Sequence, residues 1–230
     1  ASDVYKRQDL GRVAISQRNY AVNNPRAFGF QKPLTMEDYL SSKMIASPLR
    51  LYDFCQESDG GCALLITSAE RAADLKQEPA VIRGITQAST QGQEQMTSFY
   101  RNELSTLPEM ELAAKRVYAQ SGLQARDIDA ACLYDAFTSE VVMQLESFGF
   151  CCPGEAKDFI KQGGLDIDGR LPNNTHGGLL SEAYIHGLNN IAEAVRLVRG
   201  QSTNQPKKIE HVLVSSGVGV PTGAMILGQS

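Results

Sequence analysis

The chain has 230 residues, 22 Lys and Arg against 26 Asp and Glu, a net charge of −4, and 42% apolar residues. That is an ordinary globular composition, long enough for one large domain or two small ones. It excludes a strongly basic binder of nucleic acid or anionic membrane, and no apolar run reaches the length of a membrane span. The polar start "ASDVYKRQDLGR" carries no signal-peptide pattern. Five cysteines, an odd number with no C-x-x-C pair, argue against a disulfide scaffold and a structural zinc. The expected setting is reducing and cytoplasmic. The first residue is Ala, and "SDVYKRQ" resembles a scar found at the ends of assembled reads. The expectation is therefore a fragment that lacks sequence upstream of about Asp9.

In chain order, residues 9–30 predict the end of a helix and a polar loop, with Pro25 holding Asn24 out of helical geometry. "TMEDYLSSKMI" predicts a short helix with Thr35 as N-cap and Asp38 at its third position. The apolar run Cys62 to Thr67 suits a strand buried on both faces, and residues 80–90 suit another strand. Residues 91–107 are loop-like. Pro108 opens a helix that Gly122 closes. "AACLYDAF" reads as a buried strand leading into a helix from Ser139 to Phe148, and "CCPGEAKDFIKQGG" as a short helix. A loop, "LPNNTHGGLL", then enters a long helix from Ser181 to Arg199. "QSTNQPKK" reads as an exposed linker. "IEHVLVSSG" and "TGAMILG" read as an antiparallel strand pair. Alternating strands and helices with such a pair predict an α/β layered fold with a mixed sheet.

Several chemistries can be weighed from residue spacing. His176 and His186 are ten apart, with Asp166 and Asp168 nearby. That spacing does not put ligands on one helix face, and no metal site is expected. Cys62 and Cys132 sit in apolar strands, and Cys151 and Cys152 precede a proline-started helix, so structural roles are favoured over a nucleophile. "GGLL" lacks the lysine of a phosphate loop. Tyr134 and Tyr184 remain, one at a strand end and one at a helix start, where such sheets present residues to a crevice.

Read together, three stretches resemble the thiolase superfamily. They are Tyr134-Asp135-Ala136-Phe137, the run from Asn174 through His176, Gly177 and Gly178 to Tyr184 and His186, and Ser215-Ser216-Gly217-Val218-Gly219. The family builds its active site from N-E-A-F, N-x-x-G-G-x-x-x-x-G-H-P-x-G and C-x-G-x-G. The resemblance covers nearly all of residues 9–230. It implies a layered αβαβα fold with mixed five-stranded sheets. Residues 1–107 would be the remainder of an N-terminal half-domain with its loop segment, and 108–230 the C-terminal half-domain. "SPLRLYDFCQESDGGCALLITS" is similar to the strand that closes the N-terminal half.

The departures carry the functional expectation. Where the family has an asparagine, this chain has Tyr134. Where it has its catalytic histidine, this chain has Tyr184, and its catalytic cysteine falls on Ser215. Claisen chemistry needs those groups. The two tyrosines are similar to the lipid-transfer-protein branch of the sterol-carrier thiolases. That branch implies a retro-aldolase of steroid side-chain degradation, cleaving a β-hydroxyacyl-CoA to a 17-ketosteroid and propionyl-CoA. It also implies a coenzyme A thioester as substrate with no bound cofactor, a homodimer, and a small partner built from a zinc ribbon and an OB-fold. Tyr134 and Tyr184 are the expected catalytic pair. His176, His186, Asn174, Gly177, Gly178, Ser215, Gly217 and Gly219 are the expected supporting or substrate-binding residues. A thiolase or acyltransferase using residues outside these 230, or a non-catalytic acyl-CoA or lipid-binding subunit, are the alternatives.

Overall fold

Residues 5–91, 105–217 and 222–229 are described by a computed structural model. Helix α1 (Arg7–Ala21) turns Leu10, Val13 and Ala14 into the core and packs against other helices on several sides. Helix α2 (Met36–Ser41) starts at Thr35, whose hydroxyl accepts from the Asp38 amide, the cap expected from the sequence. A small hairpin of β1 (Met44–Ala46) and β2 (Leu49–Arg50) follows, then α3 (Ala69–Ala73) and β3 (Val81–Ala88). Helix α4 (Pro108–Ser121) begins on its proline and ends at Gly122, which is left-handed as a C-cap requires. Strand β4 (Ala130–Cys132) leads to α5 (Thr138–Ser147), α6 (Ala156–Lys161), α7 (Gly178–Ser181) and α8 (Leu188–Val198). The antiparallel pair β5 (His211–Ser216) and β6 (Thr222–Gly228) closes the chain.

The main sheet runs β3-β6-β5-β4, antiparallel at its first two pairings and parallel at the third. Among the described residues it has four strands where the family resemblance leads one to expect five. The fifth place is held by a short extended piece on the far side of β4. There Ala131 donates to the Pro172 carbonyl and accepts from the Asn174 amide. The sheet separates two cores by the period of two along each strand. Val212, Val214, Met225 and Leu227 face α8 through Ala194, Leu197 and Val198. Leu213, Ala224 and Ile226 face the opposite side, with Met110 and Val117 of α4 and Val141 and Leu145 of α5.

This layout positions the site. Segment 172–174, β4 and β5 run parallel, so the residues at or just past their carboxyl ends gather at one edge of the sheet. Those residues are Asn174, Tyr134 and Ser215. A crevice outside the carboxyl ends of parallel strands is where such sheets hold ligands.

Three expectations are corrected. The run Cys62 to Thr67 is not a buried strand: it pairs with no strand among the described residues, and Leu65 and Ile66 are 85% and 78% exposed. Apolar content fits a strand, but a strand also needs a neighbour for its backbone groups. The long helix from Ser181 to Arg199 is two helices, α7 and α8. His186 (φ 49°) and Gly187 (φ 83°) are both left-handed, which a right-handed helix cannot contain. Asn189 Nδ2 bonds the Ala183 carbonyl and the Glu182 carboxylate, holding the break open. Tyr184 therefore stands in the break, not on a helical turn. The linker 201–208 is not simply exposed. Asn204 donates to the carbonyls of Tyr20 and Thr175, Ser202 bonds Glu193, and Pro206 is buried.

Candidate active site

The loop after β4 is fixed through both backbone polar groups of one residue. The Tyr134 amide donates to Ser215 Oγ at 2.8 Å, and the Tyr134 carbonyl accepts from Gln144 Nε2 at 2.6 Å. The next residue, Asp135, is fully buried and accepts from the amides of Leu179 (3.0 Å) and Leu180 (3.1 Å). That carboxylate ties the Tyr134 loop to the glycine turn before α7. Burial pushes its carboxyl well above the usual range, and the two amide bonds only partly offset this. Gly178 is left-handed, and a Cβ there would lie 2.2 Å from Asp135 Oδ2. Gly177 is likewise left-handed, with Ala21 of α1 at 2.7 Å from the corresponding position. Both glycines are buried, so the turn seats itself on the protein's own core.

With the loops so held, the two phenols meet. Tyr134 Oη and Tyr184 Oη are 2.8 Å apart, and the rings are edge-on with centroids 6.4 Å apart. Tyr134 is 3% exposed; Tyr184 is half-buried and nearer solvent. Burial pushes the Tyr134 phenol well above its ordinary value, and the bond to Tyr184 adds to this. Both effects favour the protonated phenol. Tyr184 is placed by its amide, which donates to Ser58 Oγ, and by the exposed His186 ring, tilted 45° to it with centroids 4.5 Å apart.

The remaining expected residues divide between support and edge. Asn174 is left-handed and spans to the Leu133 carbonyl through Nδ2. His176 is almost fully buried and bonds Asn190, with Glu182 at 3.8 Å; its hydrogen bonds reach neither phenol. Ser215 Oγ gives its proton to Gln144 Oε1 at 2.5 Å. Gly217 is left-handed at the end of β5, and Gly219 lies outside the described residues. Among the described residues no three His, Cys, Asp or Glu side chains converge to hold a metal.

The sequence reading misses Gln144, Asp135 and Glu140. A signal exists for Gln144: it is a lone amide on the apolar face of α5 formed by Val141, Leu145 and Phe148. The thiols agree with the structural roles expected of them. Burial pushes Cys55 up to about 11 and Cys151 up to about 12, and Cys132 well above its usual value. Burial also raises Cys62, and a hydrogen bond to Glu155 raises Cys152. None of the five is set up as a thiolate nucleophile.

Glu140 sits beside Tyr134 with its carboxyl pushed up to about 8 by burial, against the pull of the Phe137 and Ala136 amides. The folded value lies above the unfolded one, so the native state favours the protonated form. That contribution is fully present below about pH 4.5 and is lost as pH rises through 8. Glu140→Gln keeps an acceptor for the Phe137 amide without the charge. Denaturant melts from pH 5 to 9 should show the variant gaining on the parent by a few kcal/mol, on the order expected for such a shift. Parallel stability curves would contradict it.

Residues 90–229 match the family model described as Thiolase C-terminal domain-like. The chain is 58% identical over 221 residues to a steroid side-chain-cleaving aldolase of Thermomonospora curvata, covering 96% of this chain and 56% of that protein. It is 53% identical to a 17-hydroxy-3-oxo-4-pregnene-20-carboxyl-CoA lyase of Mycobacterium tuberculosis, covering 96% and 57%. A solved structure described as an Ltp2-ChsH2(DUF35) aldolase superposes with a TM-score of 0.95 at 56% identity, over 98% of this chain and 59% of that one. The chain thus spans little more than half the length of the curated relatives it matches. No helix among the described residues is long and apolar enough to cross a membrane.

Proposed function

The chain belongs to the thiolase C-terminal domain-like family, and from that premise we propose that it serves a retro-aldol cleavage of a β-hydroxyacyl-CoA. The observation that carries the reading is the 2.8 Å phenol pair standing where thiolases keep an asparagine and a histidine. Two relatives are named a steroid side-chain-cleaving aldolase and a 17-hydroxy-3-oxo-4-pregnene-20-carboxyl-CoA lyase. Together with the family resemblance they support a steroid with a tertiary side-chain alcohol as substrate, and a 17-ketosteroid and propionyl-CoA as the products proposed.

In this reading the pair acts as a relay. The substrate hydroxyl gives its proton to Tyr184 Oη, the phenol nearer solvent. Tyr184 passes its own proton to Tyr134 Oη. In the same concerted event the O–H electron pair closes the ketone carbonyl, the Cα–Cβ bond breaks, and its pair takes the Tyr134 proton at the α carbon. Enolate character develops on the thioester only in the transition state, so no phenol ever holds two protons. Neither phenol carries a full charge, which suits a site where burial opposes ionisation of Tyr134. The backbone at the left-handed Gly217 is the group assigned to the thioester oxygen, a contact worth on the order of 3 kcal/mol to a developing enolate. Ser215 has its proton committed to Gln144, so it is not a free acid in place of the family cysteine. The relay uses no cofactor beyond the coenzyme A of the substrate.

The same reading includes a partner of the DUF35 type, the kind named with the solved aldolase, and a homodimer, which light scattering would read. The test is product analysis with the intact gene product and a DUF35-type partner. A β-hydroxyacyl-CoA with a tertiary hydroxyl should give a ketone and a shortened acyl-CoA. Cleavage of a 3-ketoacyl-CoA by free CoA, with no turnover of the first substrate, would replace this reading with a thiolase. Binding without turnover of either would make it a non-catalytic subunit.

A further inference from the structure

We propose that Gln144 is the positioning residue of the phenol pair; this rests on the reading of Tyr134 as catalytic. Three hydrogen bonds close a ring around the backbone of one residue. The Tyr134 amide donates to Ser215 Oγ (2.8 Å), Ser215 Oγ donates to Gln144 Oε1 (2.5 Å), and Gln144 Nε2 donates back to the Tyr134 carbonyl (2.6 Å). The second Nε2 proton goes to the Glu140 carbonyl at 3.0 Å, one helical turn earlier. The side chain is fully buried, yet every one of its polar atoms is used.

The direction of each bond is fixed. Nε2 faces two carbonyl oxygens, so it must donate, and a flipped amide would set oxygen against oxygen. Oε1 must then accept, which leaves Ser215 with one proton pointing to Gln144 and a lone pair pointing to the Tyr134 amide. Gln144 therefore orients Ser215 and holds both backbone polar groups of Tyr134. The phenol of Tyr134 meets its partner at a distance that a small rotation of this backbone would lengthen. An apolar residue on this face of α5 would pack as well as its neighbours Val141 and Leu145 do, but would leave the Ser215 proton and the Tyr134 carbonyl without their partners.

Two variants separate positioning from packing. Gln144→Met keeps the volume and loses all the bonds. Its expected effect is a fall in kcat of about tenfold to a hundredfold with KM little changed, the signature of misplaced catalytic groups. Gln144→Glu keeps the shape but can donate to Tyr134 only when protonated. Its activity should approach the parent's at low pH and fall as pH rises, along a limb that the parent lacks. The phenol pair is read independently by NMR of the intact gene product with 13Cζ-labelled tyrosine, using Tyr134→Phe for assignment. Displaced Tyr134 and Tyr184 signals in Gln144→Met support the proposal even if no turnover is found, in which case the functional reading fails alone. Parent-like kcat and unmoved phenol signals in Gln144→Met overturn it. So does a Gln144→Glu pH profile parallel to the parent's.

Discussion

Tyr184→Phe should lower carbon–carbon cleavage by on the order of 10²- to 10⁴-fold, the range for losing a positioned acid–base group. The ring, its edge-on contact with Tyr134 and its contact with His186 all survive the change. Only the hydroxyl goes, and with it the acceptor for the substrate proton and one end of the 2.8 Å phenol bond. Loss of one such bond at a half-buried position is worth about 1 kcal/mol, so the fold should melt within a few degrees of the parent. KM should change little, because the hydroxyl acts in the transition state more than in binding. The check is steady-state kinetics beside a thermal melt. Full activity in the variant would remove Tyr184 from the mechanism, and unfolding would show that the phenol bond is structural.

Gly178→Ala should be the most damaging single change in the scaffold. The alanine Cβ would lie 2.2 Å from Asp135 Oδ2 and 2.9 Å from Asn174 Nδ2 and Gln17 Oε1. None of these can swing into solvent, because all three residues are fully buried. Asp135 would have to release the Leu179 and Leu180 amides, leaving a buried carboxyl without its partners. Left-handed strain adds to this, and the sum should reach about 3–5 kcal/mol. Gly122→Ala is the control: its φ of 71° is just as left-handed, but nothing lies within 4 Å of the new Cβ. It should lose only about 1 kcal/mol. Denaturant melts of the two variants decide whether the clash at Asp135, rather than backbone strain, dominates. Equal losses would contradict the account.

Much of this architecture is legible in the chain because the determinants are local. The apolar runs in "IEHVLVSSG" and "TGAMILG" mark strands buried on both faces, and Thr35 with Asp38, Pro108 and Gly122 mark helix ends by mechanisms confined to a few residues. Tyr134 and Tyr184 are legible because they stand at motif positions where different residues are expected. Their hydrogen bond is not, since it spans fifty positions in sequence and depends on how two loops are held. The break before α8 has a local sign in Gly187, but nothing about His186 announces a positive φ. The run from Cys62 to Thr67 shows the opposite limit. Its apolar character is local, whereas membership of a sheet depends on a partner strand elsewhere. Gln144 has a local sign, a lone amide on the apolar face of α5, but its partners do not, since Ser215 and Tyr134 reach it only through the fold.

The central claim is that two phenols move one proton from the substrate hydroxyl to the α carbon with no covalent acyl-enzyme. The most direct measurement runs the intact gene product, with its partner, on a tertiary β-hydroxyacyl-CoA in D₂O and weighs both products and protein at early times. The account predicts an acyl-CoA product carrying one deuterium at its α carbon and a protein of unmodified mass. An acylated protein, or an acyl-CoA product without deuterium, would contradict it.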